Sequence, residues 1–162
     1  MKKVLLVTML LSLAIVSWGQ VSYLQENEIE FDILHWHYDK YNNAESDQWY
    51  KTVVDGKTYF GVSFVYEDQQ YKTLYDDKGR IISEKKIMST KDLPVEIKKV
   101  LDYRIVKYKV KDYVIETLFE YKNPIETHHR VDARTKTGGQ VLLWFNEDYD
   151  VISNKKELIA FN

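Results

Sequence analysis

Between residues 28 and 41, apolar and aromatic positions recur at spacings of three and four. Phe31, Leu34, Tyr38 and Tyr41 form one stripe, with Ile33, Trp36 and His37 beside it. That period predicts an amphipathic helix, and Asn42-Asn43 ends it. The pattern then changes. Trp49 to Val54 reads as a strand, and Asp55-Gly56 is a two-residue hairpin signal. From Thr58 to Glu67 the side chains alternate, with Phe60, Val62, Phe64 and Tyr66 on the core side and Tyr59, Gly61, Ser63 and Val65 on the other. Gln69 to Tyr75 pairs back, Asp76-Asp77-Lys78-Gly79 turns, and Arg80 to Met88 makes a fourth strand.

A short helix follows, with Leu93, Ile97, Val100 and Leu101 on one stripe. Asp92 is expected to cap it or complement its dipole, and Pro94 suits its first turn, where a missing N–H costs nothing. Arg104 to Phe119 predicts one or two strands, Ile125 to Arg134 alternates, and Thr137-Gly138-Gly139 turns. Gln140 to Phe145 is a strand, Asn146 to Asp150 turns, and Val151 to Ala160 closes the chain. The expected class is α+β: antiparallel strands with helices packed on one face.

The second half echoes the first at a spacing of 70 residues. Tyr71–Lys86 lies over Val141–Lys156 without a gap, so that Ile82, Ser83, Lys85 and Lys86 recur as Ile152, Ser153, Lys155 and Lys156. Asp76 and Asp77 recur as Asn146 and Glu147. Such a recurrence predicts two copies of one supersecondary unit, about 28–101 and 102–162. No linker rich in Pro, Gly or Ser separates them, so the expected sheet is continuous within one domain, 20–162.

Residues 1–19 read as an export signal. Lys2 and Lys3 start it, Val4 to Val16 is apolar, and Ser17-Trp18-Gly19 places small residues for cleavage before Gln20. A retained anchor needs about 18 or more apolar residues, so no membrane span is expected after cleavage. The expected location is the periplasm or the exterior.

Several of these pieces occur in a recognisable order. A helix ending in Tyr41-Asn-Asn-Ala-Glu45 precedes Trp49 and a strand pair around Tyr59 and Phe64. Then come Tyr75-Asp-Asp-Lys-Gly-Arg-Ile-Ile-Ser-Glu84 and Asp92-Leu-Pro-Val-Glu-Ile-Lys-Lys-Val-Leu101. This order resembles the PepSY-like, β-lactamase-inhibitor-protein-like domains of exported bacterial proteins, over most of residues 28–160. The resemblance implies a helix-plus-antiparallel-sheet unit duplicated in tandem, no enzymatic activity, and a group in which some relatives inhibit or bind other proteins. Two features depart from it: Tyr149 stands where the final turn's glycine is expected, and no second Leu-Pro helix follows. No inhibitory residue carries over, because inhibitor contacts lie on variable surfaces rather than in the motif.

Composition removes several chemistries. Loss of Lys2 and Lys3 would make the formal charge of −2 more negative, and no basic face stands out, so nucleic acid is not an expected partner. The absence of Cys removes thiol catalysis, disulfides and thiolate metal sites. His35 and His37 would stand about 200° apart on a helix, and the adjacent His128 and His129 point to opposite sides of a strand. Neither acidic turn has the ligand spacing of a calcium loop. There is no nucleophile elbow, zinc-protease helix or phosphate loop, and paired carboxylates among 25 acidic residues carry no meaning without geometry. No enzyme, metal or cofactor is expected.

The aromatic residues, 13 Tyr among them, supply the remaining candidates. Trp36, Trp49, Tyr59, Tyr71, Trp144 and Tyr149 are either core and cross-strand pairs or a strip on the helix-free sheet face, since Tyr and Trp dominate binding hot spots. Two readings follow. Tyr59, Tyr71 and Trp144 would contact a protein partner through the sheet, or Trp36, Trp49 and Tyr66 would line a crevice between sheet and helices for a small ligand.

Overall fold

The computed structural model describes residues 21–152. The expected export signal, the last part of the closing segment and the second halves of the Ser-Lys-Lys match lie outside these residues. Within them the chain makes eight strands and two helices: β1 Ser22–Leu24, α1 Phe31–Lys40, β2 Glu45–Val54, β3 Lys57–Tyr66, β4 Gln69–Asp76, β5 Ile81–Met88, α2 Val95–Arg104, β6 Tyr108–Glu120, β7 Asn123–Thr135 and β8 Gln140–Phe145. The strands lie in chain order in one antiparallel sheet. The class is α+β, with more sheet than helix. No helix among the described residues is long and apolar enough to cross a membrane.

Each hairpin follows from its turn. Asp55 and Gly56 both have positive φ (51° and 74°), the backbone of the twisted two-residue turn that Asp-Gly favours. Glu67 and Asp68 adopt the same left-handed region (49° and 59°) between β3 and β4 without a glycine. The expected boundary at Arg104 is corrected: that residue ends α2, and β6 is one strand of 13 residues. α2 starts at Val95 with Pro94 as its cap residue, while Asp92 belongs to a preceding 3-10 turn in which Ser89 Oγ accepts from Lys91 N at 3.3 Å.

Register shows that both helices cover the same face. Trp49 pairs with Val62, Val62 with Thr73, Thr73 with Glu84, and Glu84 with Thr117. Tyr113, four residues before Thr117 on β6, pairs with Val131. α1 packs on Trp49, Phe60, Val62, Phe64, Tyr75 and Ile81. α2 packs on Tyr113, Val131 and Phe145 through Ile97 and Leu101, with Leu93 just before the helix joining the same cluster. Burying an aliphatic side chain of this kind contributes about 1.5–3 kcal/mol, so each helix is held mainly by its few inward positions.

The inward stripe of α1 differs from the one the spacing suggested. Ile33, His37 and Tyr41 are buried, whereas Phe31 is 78% exposed. The sheet beneath is paved with rings, and His37 fits it. Its Nδ1 lies 3.0 Å from the Tyr75 hydroxyl, with Trp49 and Phe64 edge-on at 5.1 and 4.7 Å. Tyr41 donates a short hydrogen bond to the Glu84 carboxylate, which also pairs with Lys40 Nζ at 2.6 Å. Burial first, then the Glu84 charge, raises the Tyr41 hydroxyl well above its ordinary pKa.

Candidate functional site

The helix-bearing side of the sheet is filled by the two cores. Trp49 there is only 2% exposed, and Tyr66 packs on Tyr41 with ring centroids 5.5 Å apart. Trp36 is exposed beside the β4–β5 and β6–β7 turns, next to Gly79 and with Lys122 Nζ 3.1 Å from its ring centroid. Two of the three crevice candidates are thus in the packed layer under α1, and the third lies at the hairpin turns. Tyr71 also belongs to this side, which corrects its expected position. It pairs with Phe64 across β3 and β4, and their rings stack at 5.6 Å.

The opposite face carries Tyr50, Tyr59, Gly61, Ser83, Lys85, Glu116, His128 and Trp144. Alternation along each strand puts them there, and no helix covers them among the described residues. Gly61 is required by contact: a Cβ there would lie 1.9 Å from Tyr50 Cζ, because the Tyr50 ring lies across the glycine of the neighbouring strand. Burial, with a smaller push from Tyr23, raises the Tyr50 hydroxyl to about 12. Tyr59 is half-buried and lines a shallow cleft of about 330 Å³ with Lys57, Asp76, Arg80 and Ile82.

At the middle of this face lies a polar row that sequence reasoning missed. Lys85 pairs in register with Glu116, and Glu116 with His128, across β5, β6 and β7. Lys85 Nζ is 3.6 Å from Glu116 Oε1, and His128 Nε2 is 2.8 Å from Glu126 Oε1. All three row residues are buried, at 6%, 8% and 3% exposure. Trp144 is buried beside them, edge-on to His128 at 6.5 Å and under the Arg130 guanidinium at 6.0 Å. Charges at this depth persist only when paired. The alternation of Ser83, Lys85 and Ile87 is the signal that marked Lys85 for this side; its partner needed the β5–β6 register.

His129 points the other way, as its position next to His128 predicts. Its Nδ1 lies 2.7 Å from the Tyr113 hydroxyl, and its ring is 4.9 Å from Tyr149. Burial lowers its pKa, against an opposing effect of Glu147. No group of three or more metal-ligating side chains occurs among the described residues. The face offers charge, hydrogen bonding and ring surface.

The chain has a BLIP-like fold. A BLIP-like protein from Bacteroides fragilis NCTC 9343 superposes with a TM-score of 0.62 at 18% identity, covering 82% of this chain and 89% of its own. A DUF2874-family protein from Bacteroides uniformis ATCC 8492 gives 0.64 at 11% identity over 77% and 87%. A proposed periplasmic protein from Bacteroides eggerthii DSM 20697 gives 0.64 at 9% over 76% and 86%. No family model and no curated protein sequence matches the chain.

Proposed function

We propose that this protein is an exported, non-enzymatic binding module that recognises a protein partner through the helix-free face of its sheet. The observation that carries this reading is the sheet face opposite the two helices, where half-buried Tyr59 and Arg130 flank the buried Lys85–Glu116–His128 row and Trp144, and which no helix among the described residues covers. A charged row adds little net stability once its desolvation is counted; on this face the half-buried Tyr59 and Arg130 are groups that a partner can reach. Tyr59 contributes ring surface at one end of the face; Tyr71, on the helix side, lies outside it. The likeness to a BLIP-like protein and to a proposed periplasmic one supports this direction, as does the export pattern of residues 1–19.

We also infer that the two halves are copies of one unit. Trp49–Val62–Thr73 and Tyr113–Val131–Leu143 occupy matching register positions, and Tyr75 pairs with Ile81 as Phe145 does with Val151. The following turns also agree. Asp76 Oδ1 accepts from Arg80 N at 2.8 Å and Asn146 Oδ1 from Asp150 N at 2.7 Å, with positive φ at both Gly79 (73°) and Tyr149 (66°).

Co-purification of the tagged protein from its native envelope, followed by mass spectrometry, tests the binding reading. A partner retained by the parent and by Tyr103→Ala, a change at an exposed α2 residue, is expected to be lost from Tyr59→Ala and Arg130→Glu. Equal recovery with all variants would remove the helix-free face from consideration. N-terminal analysis of the same material is expected to begin at Gln20.

A further inference from the structure

A cleft of about 710 Å³ opens where the end of α2 meets the β7–β8 turn, away from the helix-free face. Its apolar lining comes from Ile105, Val106, Val141 and Leu143, and its cations are Arg104, Lys107 and Lys136. None of the described residues lining it is acidic. The three cations form no ion pair with a described residue, in a chain whose formal charge is −2. The walls are tied together: Lys136 N donates to Lys107 O at 2.9 Å, and Thr135 N to Gly139 O at 2.8 Å. Thr135 Oγ1 in turn accepts from Gly139 N at 3.0 Å, which fixes the turn that carries Lys136.

The geometry points to a binding site for an anionic amphiphile, its apolar body on Val141 and Leu143 and its acidic head among Arg104, Lys107 and Lys136. The volume lies within the range of small-molecule pockets, about 300–1,000 Å³. A neutral apolar ligand would leave three cations crowded without a counter-charge. A simple inorganic anion would leave the apolar lining in water, where each Å² of covered apolar surface is worth about 25 cal/mol. The C-terminus of α2 opposes an anion by roughly half a charge, which the three cations outweigh. Only a ligand with both parts satisfies both halves of the cleft. This site is independent of the protein-binding reading, and neither stands or falls with the other.

Calorimetric titration of the purified protein with decanoate, below its micelle concentration, tests the assignment. Saturable binding is expected, about tenfold tighter than for decanol and weakened about tenfold in a triple variant Arg104→Gln, Lys107→Gln, Lys136→Gln. These positions are exposed, and circular dichroism is expected to show the variant folded. Equal affinity for decanoate and decanol, an unchanged triple variant, or no saturation would each overturn the proposal. Capture by phosphatidylglycerol vesicles without decanoate binding would also overturn it, assigning the cations to a membrane surface instead.

Discussion

Gly61 has room for a hydrogen and nothing more, because the Tyr50 ring lies over it. Gly61→Ala is expected to destabilise the fold by about 1–3 kcal/mol through displacement of that ring. In a Tyr50→Ala background the same change is expected to cost much less, a coupling that a urea-denaturation cycle measures. His129 makes a second prediction at this scale. Its pKa in the folded chain lies below the ordinary 6.5, so the unfolded chain binds the extra proton first. Stability contributed by the neutral ring is complete above about pH 6.5 and is lost as pH falls from there toward the folded value. His129→Gln is expected to flatten this part of a stability–pH profile. Tyr113 acts at the other end: burial raises it from 10.0 to about 12, so its contribution is present below pH 10 and is lost as pH climbs between those values.

The two helices are short and their grip is concentrated. Each has ten residues and two fully inward positions, Ile33 and His37 in α1 and Ile97 and Leu101 in α2. Ile97→Ala is expected to cost about 2–5 kcal/mol, while Val95→Ala on the exposed side is expected to stay within about 0.5 kcal/mol. Thermal or urea unfolding separates the two. The β4–β5 turn is likewise concentrated on one residue. Asp76 accepts from the backbone of Lys78 and Arg80 at 2.9 and 2.8 Å and pairs with the Arg80 guanidinium at 2.6 Å. The equivalent Asn146 accepts from Asp150 N at 2.7 Å and carries no charge.

Across the whole molecule, the halves are joined by backbone pairing of β5 with β6 and by contacts over both faces. On the helix side Lys40 reaches both Glu84 and the Phe119 ring, at 2.6 and 4.7 Å. At the α1 end, Lys122 of the β6–β7 turn lies on Trp36, and Arg80 lies 5.5 Å over Tyr121. On the other face Lys85 and Glu116 bridge the same junction. Lys85→Met removes the Lys85 ion pair from the buried Glu116 carboxylate and is expected to cost about 3 kcal/mol. The double change Lys85→Met, Glu116→Leu is expected to recover most of that stability, since apolar replacement of a buried pair is often neutral. If the row serves recognition, the double variant is expected to fold while partner recovery falls.

What could be read along the chain was whatever depends on near neighbours. The alternation of Phe60, Val62 and Phe64, the Asp55-Gly56 hairpin, the β8 limits and the Leu93–Ile97–Leu101 stripe all follow from local period and turn chemistry, which do not need a partner strand. Pairing decided the rest. A strand shifted by one residue turns every side chain to the other face, so the side on which Tyr71 lies depended on its meeting Phe64, and the Lys85–Glu116–His128 row on the joining of β5, β6 and β7. The choice of His37 over Phe31 as an inward residue of α1 likewise required the Tyr75 hydroxyl and the rings of Trp49 and Phe64, which distant parts of the chain supply.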